Sequence, residues 1–195
     1  MAQNQDSAAA NVLVLVGSLR AASINKQLAE LAVESAPEGV TLQVFDRLGE
    51  LPHYNEDIDT EDVAEPVQAL RAAAAAAGAA LVVTPEYNGS IPGVLKNAID
   101  HASRPYGQSA WAGKPAGVIG ISVGPIGTSL AQQHLRNVLA YLDVPTMGQP
   151  EAFIHLTEGK IDAAGEVSDD KLRSVLQRWV DAYQQFVEAH VGNAR

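Results

Sequence analysis

The sequence predicts a doubly wound α/β fold, with five parallel strands and helices on both faces. Three observations point to it. Two short apolar runs, in Asn11-VLVLV-Gly17 and Ala79-ALVVT-Pro85, are bounded by turn formers and show no polar face. That is the pattern of strands buried on both sides. Segments with helical spacing separate the strand-like runs, so the order reads as alternating strand and helix. Neither an internal repeat nor a linker interrupts the 195 residues, so one domain over 11–195, behind a frayed tail at 1–10, is expected.

Each element follows in order. After the first strand, Ile24, Leu28, Leu31 and Ala32 mark a helix from Ser23 to about Ser35, capped by Ser23 or Ser18 and stopped at Pro37–Gly39. Val40, Leu42 and Val44 alternate as a second strand. Leu48–Asp59, with Gly49, Pro52 and Asn55, reads as a long irregular surface loop. Asp62–Ala77 is an alanine-rich helix closed by Gly78. The third strand precedes a helix from Pro92 to Ser103, where proline suits the first turn because its missing N–H is not needed. Ala116–Val123 is the fourth strand, and a helix carrying Leu130, Leu135, Val138, Leu139 and Leu142 follows it. Val144–Met147, with Ala152–His155 as a further stretch, completes the sheet. Asp169–Val191 closes the chain with a stripe of Leu172, Val175, Leu176, Trp179, Val180 and Tyr183.

Composition excludes several classes of function. With 47% hydrophobic and 18% charged residues, the chain is too apolar to be disordered. The absence of cysteine removes disulfides, thiolate metal sites and cysteine nucleophiles, and fits a reducing cytoplasm. Thirteen Lys+Arg against 23 Asp+Glu leave a net charge of −10, which argues against nucleic acid or an anionic membrane as partner. Met1–Ala10 has neither the basic nor the apolar region of a signal peptide. The low-polarity stretch Ala72–Val83 is too short to span a bilayer.

In a doubly wound sheet, ligands bind beyond the carboxyl ends of the strands, where strand order reverses. This selects the loops Gly17–Asn25, Pro85–Gly93 and Ser122–Thr128, whose small residues let backbone N–H groups approach a ligand. In the first, Ser18, Arg20, Ser23 and Asn25 gather at a helix start, where free N–H groups and a partial positive charge suit a phosphate. Its spacing is neither G-x-G-x-x-G nor G-x-x-x-x-G-K-[ST], so one terminal phosphomonoester fits best. A Ser-capped helix with a solvated arginine is the plainer account of the same residues. In the second, Pro85 and Pro92 fix a wall against which a planar ring can lie, and Tyr87 and Asn88 add side chains. A constrained turn with a solvated Glu86 is the simpler alternative. The third offers Ser122, Gly124, Gly127 and Thr128 as donors, a pattern shared by many turns after strands.

Two motifs add to this. Gly17-Ser18-Leu19-Arg20-x-x-Ser23-x-Asn25, then Pro85-Glu86-Tyr87-Asn88-x-Ser90-x-Pro92-Gly93-x-Leu95-Lys96-Asn97-Ala98-Ile99-Asp100, resemble the NAD(P)H-dependent FMN reductases of the flavodoxin-like superfamily. That family includes bacterial quinone, azo-dye and chromate reductases. Leu51-PHYNED also resembles a family segment, and the similarity covers about residues 11–150. The resemblance implies a flavodoxin-like fold and FMN as cofactor, with its phosphate at Ser18, Arg20, Ser23 and Asn25. It places the isoalloxazine ring against Pro85, Glu86, Tyr87, Asn88 and Gly89, and a third contact loop at Ser122, Gly124 and Gly127. Many relatives carry Gly-Gly, often followed by Arg, where this chain has Gly127-Thr128-Ser129-Leu130.

The activity implied is hydride transfer from NADPH or NADH to flavin N5. Two electrons then pass to a quinone, azo, metal-oxyanion or free flavin acceptor in a ping-pong cycle. The flavin carries this chemistry, so neither a protein nucleophile nor a metal is expected. The resemblance also implies a homodimer with flavin near the subunit boundary, or a homotetramer, with Leu48–Asp59 reaching the neighbouring site. A flavodoxin-like electron carrier, passing single electrons to a protein partner without using a nicotinamide, is the alternative. A receiver-type signalling domain lacks its acidic cluster here, since the strands end in Val16-Gly17-Ser18 and Thr84-Pro85.

The remaining candidates read as ordinary structure. His53, His101, His134, His155 and His190 have no metal-like spacing. Glu56, Asp57, Asp59, Glu61 and Asp62 lack the order of a calcium loop and read as solvated. Tyr106 and Trp111 either flank the flavin or acceptor, or pack. Lys96 and Asn97 either serve the site or order the loop behind it. Trp179 is core or a subunit contact.

Overall fold

Alternate residues of the central strands serve opposite helical layers. In β1 (Ala10–Val16), Val12, Val14 and Val16 pack on one side of the sheet and Leu13 and Leu15 on the other. The computed structural model describes residues 10–60, 62–157 and 169–191. The expected tail lies, but for Ala10, outside the described residues, as does Glu61 of the acidic stretch. The order is β1, α1 (Ile24–Glu34), β2 (Val40–Phe45), α2 (Glu65–Ala76), β3 (Ala79–Val83) and α3 (Gly93–Ala102). Next come β4 (Ala116–Ser122), α4 (Ser129–Tyr141), β5 (Phe153–His155) and α5 (Asp170–Val191).

The strands are parallel in the order β2-β1-β3-β4-β5. One core layer joins α2, α3 and α4 to the sheet, and the other joins α1 and α5. Trp179 belongs to the second layer, stacked on Tyr183 with ring centroids 5.4 Å apart. Both rings press on Gly117 of β4, where a Cβ would stand 2.7 Å from Trp179 and 2.8 Å from Tyr183. Among the described residues, no helix is long and apolar enough to cross a membrane.

Three sequence expectations about element boundaries are corrected. The last strand is Phe153–His155, whereas Val144–Met147 contributes only the bridge between Thr146 and Ala116. Pro145 within that stretch and Pro150 after it have no N–H for a continuous ladder. α2 begins at Glu65, with Pro66 in its first turn, because Asp62 N and Val63 N bond back to Thr60 and Ala64 is the N-cap. Pro92 is the N-cap of α3 rather than its first turn.

The segment Leu48–Asp59 is anchored and partly regular. It holds two short 3-10 turns, Leu48–Glu50 and Glu56–Ile58, and Leu48 and Leu51 are buried. Asn97 Oδ1 accepts from Tyr54 N at 2.8 Å, and its Nδ2 donates to Pro52 O at 2.9 Å. His101 Nε2 lies 2.9 Å from the same carbonyl. Asp59 pairs with Arg71 at 2.7 Å. Asn97 therefore orders this loop. Trp111 is core, donating from Nε1 to Ile99 O at 3.0 Å, and Tyr106 is exposed.

Candidate functional site

The loops after β1, β3 and β4 meet at one rim because their strands are neighbours. Gly17 N donates to Val83 O at 2.9 Å, and Thr84 N donates to Ile119 O at 2.9 Å. A Cβ on Gly17 would stand 3.1 Å from Pro85 Cδ and 3.3 Å from Pro92 Cγ. The first two loops are in contact there.

In the first loop, Ser23 caps α1, its Oγ accepting from Asn25 N at 3.3 Å and Lys26 N at 3.4 Å. Ser18 is 3% exposed, yet its hydroxyl makes no hydrogen bond to the described residues. Arg20 is exposed and has no ion pair among them. Asn25 is placed differently. Its Nδ2 donates to Ile121 O at 2.9 Å and its Oδ1 accepts from Ile121 N at 3.1 Å. Expected among the phosphate contacts, this amide instead has both polar atoms engaged in tying α1 to β4.

The second loop is a miniature hairpin. Tyr87 and Ser90 exchange backbone hydrogen bonds of 3.0 and 3.1 Å across Asn88-Gly89. Those two residues have φ of 54° and 73°, the two-residue turn that Asn-Gly favours. The hairpin is fastened to α4. Glu86 Oε2 accepts from Ala131 N at 3.0 Å, while the N-cap Thr128 side chain caps no backbone N–H of the helix. Ser90 Oγ lies 2.7 Å from His134 Nδ1. Glu86 is thus a capping group supplied from another loop, not a solvated carboxylate.

The third loop turns its donors inward. Gly124 N donates to Ser122 Oγ at 3.0 Å, and Gly127 N donates to Gly124 O at 3.0 Å. Thr128 is fully buried, its hydroxyl accepting from Gln132 Nε2 at 2.9 Å. Gly127 has φ of 62°, and a Cβ there would stand 2.7 Å from the carbonyl carbon of Phe153. The N–H donors of Gly124 and Gly127 are therefore engaged within the protein, and the Thr128 hydroxyl is buried away from the rim. Val123, Ile126 and Leu130 are exposed here instead, as are Tyr87 and Leu19 in the loops after β3 and β1.

Beside the first loop, between α1 and the end of β2, lies a cleft of about 220 Å³. Val16, Ser18, Leu19, Lys26, Ala29, Glu30, Val44, Phe45, Asp46 and Leu48 line it. Among the described residues no group of three or more His, Cys, Asp or Glu is placed to hold a metal ion.

A family model described as NADPH-dependent FMN reductase matches residues 10–159, which contain all three loops. The chain belongs to that family. This reductase is 49% identical to a 2-hydroxy-1,4-benzoquinone reductase of a Burkholderia species, over 92% of this chain and 97% of the relative. It is 44% identical to a quinone reductase of Pseudomonas putida, over 91% and 95% of the two chains. Among solved structures, the flavoenzyme NAD(P)H:(acceptor) oxidoreductase FerB of Paracoccus denitrificans superposes with a TM-score of 0.86 at 43% identity. That match covers 93% of this chain and 98% of FerB. A flavodoxin, WrbA-like protein from Agrobacterium tumefaciens shares the fold alone, with a TM-score of 0.54 at 20% identity, over 91% and 99% of the two chains. The expected flavodoxin-like fold and reductase class therefore both hold.

What the sequence left out of the reductase's rim is its apolar cover and the fastening of the hairpin. Exposed apolar residues in loops carry no periodicity, so Val123 and Ile126 gave no signal. The Glu86–Ala131 and Ser90–His134 contacts join residues 45 and 44 positions apart, beyond the reach of a local pattern.

Proposed function

We propose that this reductase binds FMN along the rim, phosphate end at α1 and ring against the Tyr87–Ser90 hairpin, and reduces quinones with NADPH or NADH. One observation carries the placement. Ser18 is an almost buried residue whose hydroxyl, at the rim surface, makes no hydrogen bond to the described residues, beside a helix N-terminus and the unpaired Arg20. A phosphate supplies the missing acceptor, a counter-charge for the guanidinium, and a partner for the helix end. Ser23 keeps accepting from its two amides while its own O–H is free to donate. Asn25 holds the helix start in place from β4 and needs no ligand contact of its own.

FMN, when bound, supplies the redox chemistry, taking hydride from the nicotinamide donor and passing two electrons to the acceptor in turn. The chain's part is placement. Pro85 through Gly89 form a wall that the Tyr87–Ser90 bridge and the Glu86 bond to α4 hold rigid. Tyr87, Val123 and Ile126 shield the rim from water on its open side. Ser122, Gly124 and Gly127 contribute the shape of the third loop, which their internal hydrogen bonds fix.

The quinone class rests on the two bacterial relatives named for that substrate. Azo dyes, metal oxyanions and free flavin are acceptors the same open face admits. We assign a homodimer, or a tetramer built from such dimers, in which a second copy covers the exposed Val123, Ile126 and Leu130. A cytoplasmic location suits the cysteine-free composition. An anaerobic absorbance titration of the FMN-loaded chain with NADPH and NADH tests the reading. Direct bleaching without a long-wavelength radical band is expected. No bleaching with either donor, together with such a band on photoreduction, would make the chain an electron carrier.

A further inference from the structure

The cleft between α1 and β2 lies outside the rim site and shares only its edge, at Ser18 and Leu19. Its volume of about 220 Å³ exceeds the ~150 Å³ that holds one benzene ring, so it takes a two-ring system. Val44 of β2, with Val16 and Ala29 on the same side of the sheet, gives an apolar wall for a flat face. Glu30 and Asp46 place two carboxylates there, and Lys26 an ammonium group. None of these three side chains has an ion pair or hydrogen bond among the described residues. Ser18, taken by the flavin phosphate in the reading above, only edges this lining.

The two carboxylates are exposed, and a sugar diol or a ring amine offers them hydrogen-bond donors in place of water. The ammonium calls for an anion. A flat two-ring base, a diol and an adjoining phosphate are together the chemistry of a purine nucleotide.

Position ties this to the reductase reading. Adjacent strands stand about 4.8 Å apart. From the gap between β3 and β4 to the gap between β2 and β1 is therefore about 10 Å along the rim. An extended dinucleotide bridges that span with its nicotinamide over the ring site, its adenine in the cleft and its phosphates passing Lys26. We propose that the cleft between α1 and β2 is the seat of the adenosine half of the nicotinamide donor. This rests on the reductase function proposed above.

The test titrates the FMN-loaded chain with ADP by calorimetry, for the unmodified protein, Val44→Trp and Asp46→Asn. Stopped-flow reduction by NADH runs beside it. Val44 is more than a third exposed, so tryptophan there fills the cleft without entering the core. Asp46→Asn removes a charge at no steric load, and near-ultraviolet circular dichroism checks that both variants fold. One ADP per chain is expected, lost in Val44→Trp and weakened in Asp46→Asn. In Val44→Trp, half-maximal flavin reduction should need about tenfold more NADH, with the limiting rate and FMN affinity unchanged.

Absence of ADP binding, or equal binding in all three proteins, overturns the proposal. So does loss of FMN affinity in Val44→Trp, which would give the cleft to the flavin phosphate. ADP binding lost in Val44→Trp while its NADH kinetics stay unchanged would assign the cleft to a free adenine nucleotide and overturn the link to the donor. If neither NADH nor NADPH bleaches the unmodified protein, the reductase reading fails separately, and with it the assignment to the donor.

Discussion

Replacing Asn25 with alanine separates two roles that the sequence could not. The side chain is 2% exposed and meets the backbone of Ile121 twice, as donor at 2.9 Å and as acceptor at 3.1 Å. Its removal leaves one buried N–H and one buried C=O of β4 unpaired, each at a cost of about 1–3 kcal/mol. Allowing for relaxation and the amide no longer desolvated, the expected loss is about 3 kcal/mol. For a chain of this size, each kcal/mol shifts Tm by about 2–4 °C, so a fall near 10 °C is expected. Asn25→Asp should fare no better, because a second acceptor would then face Ile121 O. Urea unfolding followed by tryptophan fluorescence is the assay. Trp111 and Trp179 are buried in different core layers and report on both sides of the sheet. A loss below about 1 kcal/mol, with FMN affinity reduced more than tenfold, would refute the bracing role and restore a phosphate contact.

Three further outcomes are expected. Arg20→Ala should weaken FMN binding about tenfold by flavin-fluorescence titration, with Tm unchanged because the guanidinium has no ion pair among the described residues. Gly127→Ala meets both a φ of 62° and the Phe153 backbone, and should cost about 3 kcal/mol in urea unfolding. Burial raises the Tyr183 phenol above its usual range, and its hydroxyl donates to Ala80 O at 2.7 Å. Below pH ~10 this tyrosine is neutral whether the chain is folded or unfolded. Above that pH only the unfolded chain ionises, so stability falls by about 1.4 kcal/mol per pH unit. Tyr183→Phe should lack that increment, as paired urea titrations between pH 9 and ~11 would show.

The central strands were legible because burial on both faces leaves no polar residue in Val12–Val16 or Ala79–Val83. The Asn88-Gly89 turn was likewise written in residues that tolerate positive φ. The last strand was found within Ala152–His155 but joined to Val144–Met147, because three residues of ladder carry too little pattern to stand apart from the more apolar stretch just before them. The third loop was read by residue type, which gives no account of direction. Gly124 and Gly127 have the expected N–H groups, but the turn aims them at Ser122 and Gly124. Asn25 shows the same limit, since an amide beside a loop and an amide bridging two elements look alike in one dimension.

The Glu86 carboxylate at the start of α4 also gives the rim a direction. A helix N-terminus attracts anions, and both α1 and α4 open onto this edge. At α4 that attraction is already met from within by Glu86, while α1 is closed only by the neutral Ser23 and stands beside Arg20. A long ligand with an anionic tail and an uncharged head can lie down one way round. Reversed, its tail would face a carboxylate and its head a guanidinium. Glu86→Gln would keep the cap's shape while erasing much of that orientation.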